Sequence, residues 1–311
     1  MSVKTVRYEA GFDDLLDSQQ DLVTVVKEIG SAEGPSWNPL TQALLFCSVV
    51  PEKLCRWSPR EGFSIVRSDS NIAAGTCYDA QWRIVCCEQT THRIVRMHDD
   101  GSGYEVMASH YADLELNGPN DLAVHSDGGI YFSDPNFSRR ATVISAMSQT
   151  PQPLQGLYRI DPTDKKITLA SGDCGNPNGL CFSPDERRVY VADTALSRIL
   201  LFDVAADRTF SNRRVFATTG GRGRGVPDGI KADAAGNIYC AAQAGVHVFN
   251  PAGTRLGIIN TPGAADNLCF NLCFGGSDLR QLFLCCLDAL YSVRLKVPGA
   301  HLLPGVSRAA L

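Results

Sequence analysis

Asn120-Asp121-Leu122-Ala123-Val124, then Ser126-Asp127-Gly128-Gly129, then Ile130-Tyr131-Phe132-Ser133-Asp134 reads as a strand, a tight turn and a second strand. The same phrase returns as Asn178-Gly179-Leu180-Cys181-Phe182, Ser183-Pro184-Asp185-Glu186 and Val189-Tyr190-Val191-Ala192-Asp193. It returns again as Asp228-Gly229-Ile230, Asp233-Ala234-Ala235-Gly236-Asn237 and Ile238-Tyr239-Cys240. In each copy a tyrosine follows the opening polar residue, the anchor, by 11 or 12 positions. Weaker copies open at Glu33, Ala74 and Asn271 and run into Leu44-Leu45-Phe46, Ile84-Val85-Cys86 and Leu282-Phe283-Leu284.

Six anchors at 33, 74, 120, 178, 228 and 271 are spaced by 41, 46, 58, 50 and 43 residues. A four-stranded propeller blade takes roughly 40 to 50 residues, and second hairpins such as Arg198–Asp203 and Val246–Asn250 supply the remaining strands. The expected fold is therefore all-β, a six-bladed β-propeller of four-stranded antiparallel blades with a central metal site. Residues 22–297 form that domain, with Leu22–Ile29 closing the ring; 1–21 is an N-terminal extension and 298–311 a C-terminal tail. Two rivals fare worse. Trp37, Trp57 and Trp82 precede Asn38, Ser58 and Arg83, so the Trp-Asp signature of a WD repeat is missing, and a β-sandwich pair does not explain six equal registers. The long third interval holds an insertion, 135–155, that reads either as a surface loop or as a lid over the channel mouth.

The chain has 311 residues, 44% hydrophobic and 20% charged, with a net charge of -4 and a mean hydropathy of -0.08. Without a basic run it offers nothing to nucleic acid or an anionic membrane, so the expected partner is a small molecule. No stretch approaches the roughly 20 apolar residues of a membrane span, and Met1–Ala10 lacks the apolar core of a signal peptide. The 12 cysteines read as reduced, partly buried thiols of a cytoplasmic protein, and neighbours such as Cys86-Cys87 and Cys285-Cys286 point to opposite sheet faces.

In a propeller the innermost strands line the axis, so one end of each converges on a point. The anchors at that end are Glu33, Ala74, Asn120, Asn178, Asp228 and Asn271, an oxygen-rich set that suits a hard cation. Calcium accepts carboxylates, amide carbonyls and water; zinc would ask for His or Cys. Glu33 and Asp228 would balance a 2+ charge, with Asn120 and Asn178 adding neutral dipoles. The competing reading is that Asn-Gly, Asn-Asp and Asp-Gly simply make turns.

Glu33-Gly34-Pro35, Asn117-Gly118-Pro119-Asn120-Asp121-Leu122, Phe132-Ser133-Asp134-Pro135, Asn176-Pro177-Asn178-Gly179-Leu180, Val226-Pro227-Asp228-Gly229 and Phe274-Gly275-Gly276 resemble the gluconolactonase family, with regucalcin and luciferin-regenerating enzyme. The resemblance runs from about Glu28 to Leu295. It implies a six-bladed propeller with a catalytic divalent metal, Ca2+ first and Mg2+, Zn2+ or Mn2+ as alternatives, whose ligands fall on Glu33, Asn120, Asn178 and Asp228. Ala74-Gly75-Thr76 and Cys87-Glu88-Gln89 depart from the family pattern, which puts sugar-lactone specificity in doubt.

The chemistry expected is hydrolysis of a small lactone, with the metal as Lewis acid and a carboxylate as general base. Asp228 is one candidate base. Asp134, returned to the same rim by its hairpin, is the other and the preferred one. Glu88 returns likewise, and with His92 and Asn271 is expected to touch substrate. Organophosphate hydrolysis, a condensation or cyclisation, and non-catalytic calcium binding are the alternatives. No nucleophile elbow, HExxH or phosphate loop occurs, the Gly220–Gly225 run reads as a surface loop, and the remaining histidines are scattered.

Overall fold

The computed structural model describes residues 2–16, 19–137, 151–220, 226–262 and 268–300. Most of the 135–155 insertion, residues 221–225 of the glycine-rich run, and His301 lie outside the described residues.

The chain is all-β. Ala73–Tyr78, Ile84–Glu88, Arg93–Met97 and Glu105–Ala108 pair antiparallel in chain order. Leu122–Val124, Ile130–Asp134, Gly156–Ile160 and Ile167–Ser171 make a second such sheet, and Pro177–Phe182, Arg188–Asp193, Arg198–Val204 and Phe210–Thr218 a third. Ile230–Ala232, Ile238–Ala242, Gly245–Phe249 and Arg255–Asn260 form a fourth, extended at its edge by Lys4–Arg7. The last sheet has six strands, ordered Cys269–Gly275, Gln281–Arg294, Val23–Asn38, Ala43–Ser48, Lys53–Ser58 and Gly62–Ser68. Val23–Asn38 unites two halves of it: Val23 and Lys27 pair with Ser292 and Ala289, whereas Ala32 to Asn38 pair with Ser48 back to Ala43.

First strands touch in sequence. Val23–Asn38 packs on Ala73–Tyr78, that on Leu122–Val124, then Pro177–Phe182, Ile230–Ala232 and Cys269–Gly275, which packs back on Val23–Asn38. Among the described residues six apolar clusters follow the same cycle, each shared by two consecutive strand groups. Leu45 and Cys47 meet Tyr78 and Ile84; Val85 and Cys87 meet Leu122 and Phe132; Tyr131 meets Leu180 and Phe182. Cys181 and Tyr190 meet Ile230 and Ile238; Tyr239 and Ala241 meet Leu272 and Leu284; Cys273 and Cys285 meet Trp37 and Phe46.

This sandwiching explains the sequence texture. A strand covered on both faces reads as a continuous apolar run rather than an alternation, and Ile84–Glu88, Ile130–Asp134 and Ile238–Ala242 are buried at every position. Neighbouring thiols part company as expected: Cys86 and Cys87, and Cys285 and Cys286, enter different clusters. All 12 cysteines are free thiols. No helix among the described residues is long and apolar enough to cross a membrane.

Candidate active site

At one end of the first strands the antiparallel ladders slip. Register shifts fall between Glu33 and Ser36, Ala73 and Thr76, Pro177 and Leu180, and Cys269 and Asn271. An irregularity of this kind re-aims side chains out of the pleat, and at each of these places it falls on an anchor.

Glycines beside the anchors serve close approach as well as turning. A Cβ on Gly229 would lie 2.1 Å from Asn271 Oδ1, and one on Gly179 would lie 2.5 Å from the Asp228 carbonyl oxygen. The Gly75 N–H donates to the Asn120 carbonyl at 2.6 Å, and the Gly229 N–H to that of Phe270 at 2.8 Å, so adjacent first strands are stitched backbone to backbone.

Two of the anchors they bring together, Glu33 and Asp228, are carboxylates, both half-buried. Glu33 Oε2 accepts from the Gly34 N–H at 2.8 Å and from Asn271 Nδ2 at 3.1 Å. Burial pushes Glu33 up to about 7 against the pull of those two donors; the charge of Asp121 adds to the rise and Lys231 opposes it. Burial likewise holds Asp228 well above the usual carboxylate range, reinforced by Glu33 and Asp121 and opposed by a hydrogen bond from the Asn178 side chain. Asn178 Nδ2 also donates to Thr194 Oγ1 at 3.2 Å, and Thr194 in turn donates to the Pro227 carbonyl at 2.8 Å. Asn120 is held by its backbone, its N–H on the Ser133 carbonyl at 3.0 Å.

Two residues escaped the sequence reading. Asp121 is 2% exposed; one oxygen accepts from the Leu122 N–H at 2.8 Å, and Oδ2 is buried with no hydrogen-bond partner among the described residues. Lys231 Nζ lies 3.8 Å from that Oδ2. Beyond Lys231 the first strands line a cavity of about 180 Å³ with mainly apolar walls, among them Trp37, Tyr78, Leu180, Phe182 and Phe274. The acidic cluster and this cavity occupy opposite stretches of the same strands.

Asp134 lies beside the loop leading to Asn120, where its hairpin is expected to return it, with its carboxylate engaged by backbone. It is fully buried, Oδ2 accepting from the Asn117 N–H and Oδ1 from the Gly118 N–H, both at 2.8 Å. Asp193 repeats the arrangement one sheet later, accepting from the Asn176 N–H at 2.9 Å and from Arg198 Nε at 2.9 Å. Each carboxylate clamps the loop that delivers the anchor of its own sheet, Asn120 or Asn178. Glu88 is also fully buried and engaged by protein, by Arg67 Nη1 and Tyr104 Oη at 2.9 Å and Thr91 Oγ1 at 2.7 Å. Asn271 uses one end of its amide on Glu33 and the other on the Leu272 N–H at 2.9 Å, so it orients Glu33. His92 sits in the turn between Ile84–Glu88 and Arg93–Met97 with a φ of 52°.

The residues fit a divalent cation in charge and donor type. Carboxylates crowded in low dielectric, with an orphaned buried oxygen beside them, are short of positive charge. Among the described residues no group of three His, Cys, Asp or Glu side chains is placed to hold an ion; the candidate donors are two carboxylates and two amides, oxygens throughout.

The pattern of the SMP-30/Gluconolactonase/LRE-like region matches residues 31–287. The chain belongs to that family. A gluconolactonase of Zymomonas mobilis is 26% identical over 317 aligned residues, spanning 95% of this chain and 87% of the relative. A pentonolactonase of Haloferax volcanii is 24% identical, over 81% of this chain and 80% of its own. Among solved structures, a gluconolactonase from Xanthomonas campestris superposes with a TM-score of 0.84 at 29% identity, covering 94% of both chains. A calcium-binding regucalcin from Agrobacterium tumefaciens, at 18% identity and a TM-score of 0.74, covers 92% of this chain and 97% of its own and shares the fold.

Proposed function

We propose that this family member is a divalent-metal-dependent lactone hydrolase, built as a six-bladed propeller, whose site is the anchor end of the channel. On this reading the sixth blade consists of Cys269–Gly275, the two halves of Gln281–Arg294 and the first part of Val23–Asn38. One observation carries the proposal: Glu33, Asp121 and Asp228, remote in sequence, come close enough for their charges to act on one another, with Asn178 and Asn271 beside them. Relatives named for lactone hydrolysis support the reaction class.

Glu33, Asn120, Asn178 and Asp228 would hold the ion. When bound, it supplies Lewis-acid polarisation of the ester carbonyl. The all-oxygen donor set favours calcium over zinc. Asn178 has its amide nitrogen engaged by Thr194 and Asp228, which leaves its carbonyl oxygen as the donor end. Glu33 keeps its orientation through Gly34 and Asn271.

The base is Asp228 rather than Asp134, whose two oxygens are already committed to backbone amides. A carboxylate oxygen of Asp228 takes a proton from the attacking water as its oxygen bonds to the lactone carbonyl carbon. The ring C–O bond then breaks, and the same carboxyl returns the proton to the departing oxygen, yielding a hydroxy acid. Beside a divalent ion the Asp228 carboxylate would be kept ionised, as a base must be. Ala74 places no polar group in its anchor position, so that side of the mouth suits an apolar portion of the substrate. The 12 free thiols fit a reducing compartment, and we assign the protein to the cytoplasm.

The test is turnover of a panel of γ- and δ-lactones in a pH-stat before and after EDTA. The reading requires loss of activity, recovery with Ca2+ or a competing divalent ion, and a fall of about 10²- to 10⁴-fold in Asp228→Asn. Full turnover in EDTA, or in that variant, overturns it.

A further inference from the structure

Val23–Asn38 crosses from the last strand group to the first at Gly30 and Ser31, just before Glu33. Two turns flank that crossover. On one side Ser31 pairs with Leu287, where Gln281–Arg294 exchanges Cys269–Gly275 for Val23–Asn38 as its partner. On the other, the Val49 N–H donates to the Ser31 carbonyl at 2.8 Å, and a Cβ on Gly30 would lie 1.8 Å from the Val50 carbonyl oxygen. Val50 is 68% exposed and Leu287 55%. Single exposed apolar residues are ordinary on a surface, but these two bracket one short segment that runs directly into a candidate metal ligand. The turn that carries Val50 is tied to the next copy as well, the Ser70 N–H donating to the Glu52 carbonyl at 2.9 Å, and the chain continues through half-buried Ile72 to the Ala74 anchor.

Across the mouth the side-chain amides are spent on the protein. Asn117 Nδ2 donates to the Leu154 carbonyl at 3.0 Å, and Asn117 Oδ1 accepts from the Gln152 N–H at 3.2 Å. Asn176 Nδ2 donates to Gln155 Oε1, and Gln155 Nε2 to the Gly175 carbonyl at 2.9 Å. A polyhydroxy lactone needs such groups unpaired, because each hydroxyl taken out of water must find a partner. We propose that the preferred substrate is a lactone bearing an alkyl chain, with its ring at the acidic cluster and its chain laid over Val50 and Leu287. The inference rests on the hydrolase reading above and names its substrate class. Ser31 stands two strand residues, about 7 Å, from Glu33, so a chain on the ring carbon next to the ring oxygen spans the gap while the carbonyl stays at the site. Val50 and Leu287 touch no reacting atom; they set specificity through the apolar surface they cover.

δ-Hexalactone, δ-octalactone and δ-decalactone share one ring and one point of substitution, so the ratio of their kcat/KM values reads the chain alone. A buried methylene is worth about fourfold and one covered on a single side about twofold. From the methyl to the pentyl chain kcat/KM should therefore rise by about tenfold or more, and δ-decalactone should be preferred to glucono-δ-lactone. Val50→Ser and Leu287→Ser together should lower the decalactone-to-hexalactone ratio by about threefold or more. Leu40→Ser is the control: Leu40 is 67% exposed in the turn at the other end of the first strand, and the ratio should not change. A parent ratio near one, or a doubly substituted protein that keeps the parent's ratio, overturns the proposal. If the ratio is near one and the parent cosediments with phosphatidylcholine vesicles, the patch belongs to a lipid surface instead. Absence of turnover on every lactone refutes the hydrolase reading itself, and is separable from turnover that ignores chain length.

Discussion

Gly229→Ala isolates the packing on which the site depends. The added methyl would lie 2.1 Å from Asn271 Oδ1, 2.3 Å from its Cγ and 2.7 Å from its Cα. The nearest two atoms belong to the amide that holds Glu33 Oε2, and the third is backbone, so rotating Asn271 does not clear the overlap. Overpacking of this sort costs about 1–3 kcal/mol, and losing a hydrogen bond to a carboxylate adds about 1.5–3 kcal/mol. Gly229 has no positive φ, so alanine's restriction of the unfolded chain returns about 0.4–1 kcal/mol. The net expectation is a loss of about 3 kcal/mol in urea unfolding followed by tryptophan fluorescence, together with weaker metal binding because Glu33 loses its guide. Gly11→Ala is the control: its methyl would meet only Leu256 Cδ2 at 3.8 Å, and its effect should stay within about 0.5 kcal/mol. If Gly229→Ala unfolds at the parent's urea midpoint with turnover intact, the claim that glycine is required by interstrand contact at the axis is wrong.

Asp134→Asn should destabilise by about 3 kcal/mol, since two backbone N–H groups lose a charged acceptor, while the acidic limb of the pH–rate profile stays in place; loss of that limb would return the base role to Asp134. His247 is 4% exposed and burial lowers it to about 4. Its native form therefore binds fewer protons than the unfolded chain, and stability should fall as pH drops from about 6.5 towards 4, by about 3 kcal/mol in all. His247→Gln should flatten that part of the urea-midpoint profile, and an unchanged slope would assign it to other groups. Ten cysteines are buried and two, Cys77 and Cys174, partly so; Ellman's reagent should label at most those two in the native protein and all 12 in urea.

The repeat could be read from sequence because its signal is local: a polar anchor, a turn and an apolar strand fall within about a dozen residues. The cluster of Glu33, Asn178, Asp228 and Asn271 follows once those copies are superimposed. The roles of Asp134 and Glu88 did not follow, because a carboxylate aimed at a channel and one clamped by backbone N–H groups or by Arg67 occupy the same register. Only three-dimensional partners separate them. Asp121 and Lys231 were legible in principle. Comparing the copies one and three positions past the anchor exposes a charged residue in each column, but Asn120-Asp121 resembled a turn and Lys231 an ordinary strand lysine. Gly179 and Gly229 suggested turns for the same reason. Their use depends on the next first strand along the chain, at Asp228 for Gly179 and at Asn271 for Gly229.

The degeneracy of the inner register has a physical cause. Equivalent residues of a circular repeat face one another at the axis, so what one copy carries constrains the others. Identical carboxylates at every anchor would crowd like charges in a low dielectric and take up protons, a tendency already visible in the raised Glu33 and Asp228. Identical asparagines would offer dipoles but no compensating charge. If Glu33, Ala74, Asn120, Asn178, Asp228 and Asn271 serve a single shared site, as proposed, that site needs unlike donors from like positions. The second strands have no such conflict, since each packs between its own pair of neighbours, and there the repeat survives: Tyr131, Tyr190 and Tyr239 occupy matching places in three successive interfaces. On the proposed reading, the inner positions at which this chain departs from its own repeat are the ones that would face the ion and the substrate.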